Sequence, residues 1–366
     1  MALKNFWWLL IWPFLFGAVS YLFIPQQDEI VLGRRVKRWN WLPAIILAAP
    51  FVIWAGWRIN GFGDTGVYRS AFNSMPIGLG SMFEFVTQRN KDRGFVIFEY
   101  LFKTLISRSD IAFFFIITLM QMFCIARIYR KYSQNYWLSI FFFVASTDYL
   151  SWMFNGMRQF LAAAIIFTCI PLIIKKRYFL MCLVVLFASQ IHLTSIIFLP
   201  FIFVINGRAW NIRTFLFILG IVFSVYFLDR VTGFITDAME DTAYSGDIAI
   251  FLNDDGTHIL RVLFYSIPAI MSWVFRKPIE ADNDPLVNIC VNMSIVAAGI
   301  YVFSFFTSGV LIGRLPIYFS LANYVLIPWL IARFFEPVSA SVVSVVFVGV
   351  YSVFFYYQCG ITWRIL

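Results

Sequence analysis

The chain of 366 residues is 61% hydrophobic, 20% aromatic and only 13% charged, with a formal net charge of +9. Soluble domains run nearer half apolar and a quarter charged, so this chain has too few polar side chains to cover a core and needs lipid as its solvent. Helices are the cheapest way to satisfy backbone polar groups in lipid, which excludes a soluble globular enzyme and predicts an all-α polytopic transmembrane bundle.

In chain order, apolar runs fall at 6–24, 40–57, 111–126, 136–150, 157–174, 178–191, 193–205, 214–228, 259–275, 286–306, 315–332 and 338–358. They predict about 12 spans in one integral membrane domain covering 1–366. The first run follows Lys4 and is too long and aromatic for a cleaved signal core, so it reads as a retained span.

The loop Arg34, Arg35, Lys37, Arg38 is densely basic and should be cytoplasmic, with the N-terminus outside. Alternation from there puts Arg127/Arg130/Lys131, Lys175/Lys176/Arg177, Arg208/Arg213, Arg276/Lys277 and Arg333 on the same inward side. These six clusters hold more than half of the 28 basic residues. The positive charge is thus topological in origin, and no nucleic-acid partner is expected.

Residues 178–205 are long for one span and short for two. A single span would move a basic cluster outside. A short, re-entrant-like hairpin keeps both inside and puts Gln190, His192, Thr194 and Ser195 at its tip, where protein or a water-filled cavity must cover it. Two long segments then face outward: 58–110, with an amphipathic helix predicted at 95–107, and the acidic 229–258, which carries Asp229, Asp237, Glu240, Asp241, Asp247, Asp254 and Asp255.

Charges at span ends are costly and call for a reason. Arg58-Ile-Asn-Gly-Phe-Gly-Asp64 leads to Tyr68, with glycines that let the backbone turn tightly. A capped loop with an Arg58–Asp64 ion pair would serve as well as a binding site. Asn155-Gly-Met-Arg158-Gln159 opens a span, with Asn155 expected as its N-cap. A cation at Arg158 opposes the helix dipole, which favours an anionic ligand there. His192 is either an interhelical hydrogen-bonding group or a general base. Arg314, with Tyr318 one turn on, either snorkels or binds substrate.

The five cysteines sit in or beside apolar runs and read as buried hydrophobes. Asp282/Asp284 and Asp254/Asp255 read as turns, and His258 as a surface residue. No metal or cofactor is expected.

The elements Arg58-x5-Asp64-x3-Tyr68, Arg93-Gly94-Phe95 with Glu99, Asn155-x2-Arg158-Gln159, Ile191-His192-x2-Ser195 and Arg314-x3-Tyr318 occur in that order over about residues 40–330. On them the chain resembles the EpsG/Wzy-type bacterial polysaccharide polymerases. The resemblance implies a GT-C-like helical fold in the bacterial cytoplasmic (inner) membrane, acting on its outer face. There, a glycan on undecaprenyl diphosphate would be transferred to a lipid-linked repeat unit. It implies membrane lipid, a flippase and a chain-length regulator as partners.

In that reading Arg58, Arg158 and Arg314 hold the diphosphate, assisted by Gln159, Tyr68, Tyr318 and Asn155, because a planar guanidinium fits its oxygens. His192 or Asp64 serves as the base. The competing expectations are a lipid-linked oligosaccharide flippase or another lipid-dependent transferase such as an O-antigen ligase. The halves show no internal symmetry of the kind many transporters carry.

Overall fold

A computed structural model describes residues 5–32, 34–89, 91–240, 242 and 244–366; Lys4 and Asp241 lie outside the described residues. Every apolar run is helical. The main elements are α1 (Trp8–Phe23), β1 (Gln26–Val31), β2 (Arg34–Trp39), α2 (Trp41–Gly56), α3 (Thr65–Ser74), α4 (Arg93–Leu101), α5 (Asp110–Tyr132), α6 (Tyr136–Ala145), α7 (Met157–Thr168) and α8 (Tyr178–Ile191). They continue with α9 (Phe198–Ile205), α10 (Ile212–Tyr226), α11 (Leu228–Glu240), α12 (Ile259–Val274), α13 (Pro285–Phe305), α14 (Asn323–Phe334) and α15 (Pro337–Tyr356).

Among the described residues four helical stretches are long and apolar enough to cross a bilayer: Asp110–Tyr132, Met157–Ile174, Pro285–Phe305 and Pro337–Thr362. Three bent pairs reach that length together: α10 with α11 (97°), α12 with Arg276–Asp282 (69°), and Ile312–Ser320 with α14 (50°). The remaining apolar helices have 10–17 residues, including Tyr178–Ile191 and Leu193–Ile205, which break at His192. Such lengths fall short of the roughly 20 residues of a full crossing. The protein is therefore a helical membrane protein that mixes full-length and interrupted apolar helices.

Two of the segments between apolar runs carry structure of their own. The basic loop is half of an antiparallel β-hairpin in which β1 pairs with β2, Asp28 facing Lys37 and Gln27 facing Arg38. Opposite charges across the ladder, and Arg35 reaching Asp28 at 3.5 Å, favour pairing over an open loop. The acidic segment 229–258 is largely helical, containing α11 and the short helix Ile248–Asn253.

By contacts the chain divides into two compact units. The first comprises 1–168, 190–192 and 327–366; the second comprises 169–189 and 193–326. In the first, α5 packs against α2 and α7, and α6 packs against α1 and α15. Its interior is aromatic: Phe51, Phe113, Phe114, Phe141 and Tyr149 are fully buried.

In the second unit α13 is the central helix, contacted by α9, α10 and α12. Its buried Asn288 and Asn292, one turn apart, hold the turn before α10. Their side-chain oxygens accept from the amides of Ala209 (3.1 Å) and Trp210 (3.2 Å), and Asn292 Nδ2 donates to Ile205 and Arg208. Asp284 caps α13 by accepting from Leu286 and Val287, and Asp254 accepts from Ser308 and from the amide of Val310. These aspartates do the structural work expected of turns.

The segment 58–110 is tied down from within. Lys103 is buried and its ammonium donates to the carbonyls of Phe72 (2.6 Å), Asn73 (2.9 Å) and Met75 (2.6 Å) at the end of α3. A cation here satisfies carbonyls left over by the helix and complements its dipole. Arg69 pairs with Asp110 in the first turn of α5 and donates to Asn60 and to the carbonyl of Arg58. Replacing Lys103 with Met keeps the stem but orphans three acceptors. We expect a loss of about 2–3 kcal/mol, read as a lower melting temperature in detergent and faster proteolysis between 75 and 92. An unchanged melting curve would mean that the loop is held elsewhere.

Candidate functional site

The site is built around Asp92, a residue the sequence analysis passed over. Asp92 precedes α4 in the left-handed conformation, at φ 59° and ψ 34°, which aspartate tolerates better than most residues. Its side chain is 1% exposed. One of its oxygens, Oδ2, receives both Arg158 Nη1 (3.0 Å) and His192 Nδ1 (3.2 Å). Two of the sequence-predicted residues, from α7 and from the end of α8, thus meet on one buried carboxylate.

Gly94 explains how α8 comes so close. A Cβ at this position would lie 2.7 Å from Gln190 Cβ and 2.8 Å from the Gln190 carbonyl oxygen. Only glycine lets the two backbones meet here, and that approach delivers His192 to Asp92. The His192 ring is 18% exposed and, among the described residues, has no partner other than Asp92. With Nδ1 against the carboxylate, Nε2 remains available as an acceptor.

Arg158 stands over two rings, Tyr68 at 5.6 Å and Phe95 at 5.9 Å. Its Nε is buried without a hydrogen-bond partner. The side chain as a whole is 32% exposed, so part of its fork can be reached while its position is fixed by Asp92 and the two aromatics. The dipole mismatch noted in the sequence is met by this internal counter-charge.

Asn155 does not cap α7. It ends a π-helical turn, Tyr149–Asn155, and its side-chain oxygen accepts instead from the amide of Asp64 at 3.2 Å. Gly63, at φ +58°, seats this turn against Asn155, where a Cβ would come within 3.1 Å of the Asn155 Cβ. The Tyr68 hydroxyl donates to the Asn155 carbonyl at 3.4 Å. Asp64 is half-buried at the start of α3, and its carboxylate makes no ion pair or hydrogen bond among the described residues.

Arg58 is placed differently from the expectation. It does not pair with Asp64. It is buried between the rings of Phe114 (4.8 Å) and Phe154 (5.0 Å) and donates to the carbonyls of Ala55 and Met153, both at 2.5 Å. Burial lowers its pKa to about 10. Its visible work is to fasten the end of α2 to the π turn. The short loop before Asp64 makes this possible, because Arg58 follows the helix by two residues and folds back into the first unit.

Gln159 is buried beside Arg158. Arg314 and Tyr318 belong to the second unit: Arg314 closes a short turn, Ile312–Arg314, and the Tyr318 hydroxyl meets Thr194 Oγ1 at 2.8 Å. His258 accepts from the Leu260 amide at the start of α12.

Glu99 lies on the face of α4 that also carries Asp92 and Phe95, three and four residues apart. It is buried, with no hydrogen bond or ion pair among the described residues. Burial raises its pKa to about 7, while Arg158, Arg89 and Lys103 pull it down. The site therefore has a carboxyl able to exchange protons near neutrality and an imidazole with its Nε2 available, beside an arginine able to hold an anion.

The EpsG family model matches residues 41–360, nearly the whole chain and every element of this site. The chain belongs to the EpsG family. It is thereby a polysaccharide-polymerase-type membrane protein. No curated relative and no solved structure matches it.

Glu99 yields a stability test. Below about pH 4.5 its carboxyl is neutral whether the chain is folded or unfolded. As the pH rises toward 7 the unfolded chain ionises first, so stability drains away across that window. Glu99→Gln removes this loss. The variant should melt with the parent at pH 4.5 and above it at pH 8, by up to about 3 kcal/mol. A variant less stable at pH 8 would show that the ionised carboxylate is held by Arg158.

Proposed function

We propose that this protein polymerises polysaccharide repeat units on the outer face of the cytoplasmic membrane. The donor is a growing glycan on undecaprenyl diphosphate, and the acceptor is a lipid-linked repeat unit. The observation that carries the reading is the buried Asp92 carboxylate shared by Arg158 and His192, because it joins an anion-binding group to a proton acceptor at one point.

In the proposed reaction Arg158 donates to the diphosphate of the donor through the part of its fork not held by Asp92. Negative charge grows on the diphosphate as the glycosidic bond breaks, and a fixed guanidinium stabilises it most when it is largest. His192 Nε2 takes the proton of the acceptor hydroxyl as its oxygen bonds to the anomeric carbon. Asp92 orients the ring through Nδ1 and stabilises the imidazolium formed. Undecaprenyl diphosphate leaves.

Tyr68 and Phe95 keep Arg158 in place, and Asn155 and Gly63 set the turn that carries Asp64 and Tyr68. Asp64, with its carboxylate unengaged, is the alternative base. Arg314 and Tyr318 are proposed as substrate-binding residues. Arg58 is proposed to act by positioning the π turn ahead of Arg158.

Purified protein in proteoliposomes, given a lipid-linked repeat unit, should produce a ladder of longer glycans and release undecaprenyl diphosphate. Arg158→Ala should abolish the ladder, and Arg158→Lys should restore little of it, because a lysine cannot offer the fork. His192→Gln should slow it by roughly 10²–10⁴-fold. Repeat units moved between leaflets without elongation would sink the reading in favour of a flippase; transfer only to an acceptor other than the lipid-linked repeat unit would favour a ligase.

A further inference from the structure

At the other end of the same helices, far from Asp92, lies a second site. α2 runs 16 residues from Trp41 to Gly56, a rise of about 24 Å. Beside its first turn, where α1 and α5 end and α6 begins, the β-hairpin closes over a cavity of about 190 Å³ lined by Lys37, Arg38, Arg130, Ser133, Asn135 and Tyr136 among others.

Two buried guanidiniums face this cavity. Arg38 donates through Nε to the Lys131 carbonyl (2.9 Å) and through Nη1 to the Lys37 carbonyl (3.0 Å). Arg130 donates through Nε to the Trp39 carbonyl (2.8 Å), pairs through Nη2 with Glu29, and lies 4.3 Å from the Trp41 ring. That leaves Arg38 Nη2 and Arg130 Nη1 with no partner among the described residues, though neither is sealed from the cavity.

The charges do not balance. Lys37, Arg38 and Arg130 line the cavity; Glu29 is held against Arg130, and Asp28 faces Lys37 across the ladder while also reaching Arg35, so among the described residues two acids stand against four cations. Buried charges are ordinarily paired. Burial pulls Arg38 below its ordinary pKa; Glu29 offsets part of this and Arg130 adds to it.

An apolar groove of about 210 Å³ has Tyr136 in its wall, as the cavity does. It runs between α2 and α5 over Ala44, Ala48, Ala49, Val52 and Met122, whose small residues leave room for a chain.

We infer that the cavity and the groove form one site for an anionic membrane phospholipid, the phosphate headgroup held by Lys37, Arg38 and Arg130 and an acyl chain lying between α2 and α5. The cavity sits where apolar helices give way to the basic hairpin, as a headgroup site requires. Two arginine N–H groups and a lysine suit phosphate oxygens, and the groove suits hydrocarbon. A free phosphate has the same headgroup chemistry but gives the groove nothing to hold.

The test is native mass spectrometry of the full chain in micelles, titrated separately with phosphatidylglycerol, phosphatidylcholine and inorganic phosphate. Phosphatidylglycerol should bind at least tenfold more tightly than phosphatidylcholine. Lys37 is exposed and its removal should leave the fold intact, so Lys37→Gln should weaken phosphatidylglycerol about tenfold. Arg38→Gln should weaken it further. Ala48→Phe should fill the groove and weaken the lipid while leaving inorganic phosphate unaffected. Equal binding of the two lipids, or a Lys37→Gln variant that binds phosphatidylglycerol like the parent, would overturn the inference. Inorganic phosphate binding without lipid binding would overturn the lipid assignment.

Discussion

A carboxylate removed from water costs several kcal/mol unless it is paired and hydrogen-bonded, and Asp92 is almost wholly buried. Its partners come from distant parts of the chain, His192 lying 100 residues away. The pairing therefore demands that the loop before α4, the first turn of α7 and the end of α8 occupy one point. Much of the first unit serves that demand. Gly94 removes the side chain that would hold α8 away, Lys103 and Arg69 anchor the loop that carries Asp92, and Arg58 and Asn155 fix the turn leading to Arg158.

Sharing one oxygen between two partners has a chemical consequence for the proposed reaction. Asp92 divides its charge between Arg158 and His192. An anion settling on Arg158 would draw on the same guanidinium and leave more of the carboxylate to orient His192. Binding of the leaving group would then firm the placement of the ring that must act on the acceptor. A lone histidine and a lone arginine, each with a separate counter-ion, would lack this coupling.

What could be read from the sequence divides along physical lines. The apolar helices were legible because lipid leaves the backbone no alternative, and α2, α8, α9, α13 and α15 begin and end within a few residues of their apolar runs. Arg158, His192, Asp64, Tyr68 and Asn155 could be chosen because charge and amide groups at span ends are expensive. Asp92 could not, since it sits in the polar stretch Gln-Arg-Asn-Lys-Asp-Arg-Gly, where another acid carries no signal until the fold buries it. The fate of Arg58 was equally hidden, because an arginine that grips carbonyls between two phenylalanines looks in sequence like one that waits for a ligand. The β-hairpin was missed for a related reason: a run of cations reads as a loop unless the acids that face it are counted with it.

The two ends of the first unit meet the same electrostatic problem in opposite ways. At the Asp92 end a buried carboxylate answers Arg158, and a second carboxyl, Glu99, is kept neutral enough to be tolerated without a partner. The arginine is thereby held but not exhausted, a state suited to a ligand that must arrive and leave. At the hairpin end Glu29 is in direct contact with only one of two buried arginines, with Lys37 close by. A permanent shortfall of negative charge favours a resident anion over a passing one, and a membrane offers phosphate headgroups in large excess. The same residue type therefore serves turnover where a carboxylate opposes it, and anchorage where the lipid must.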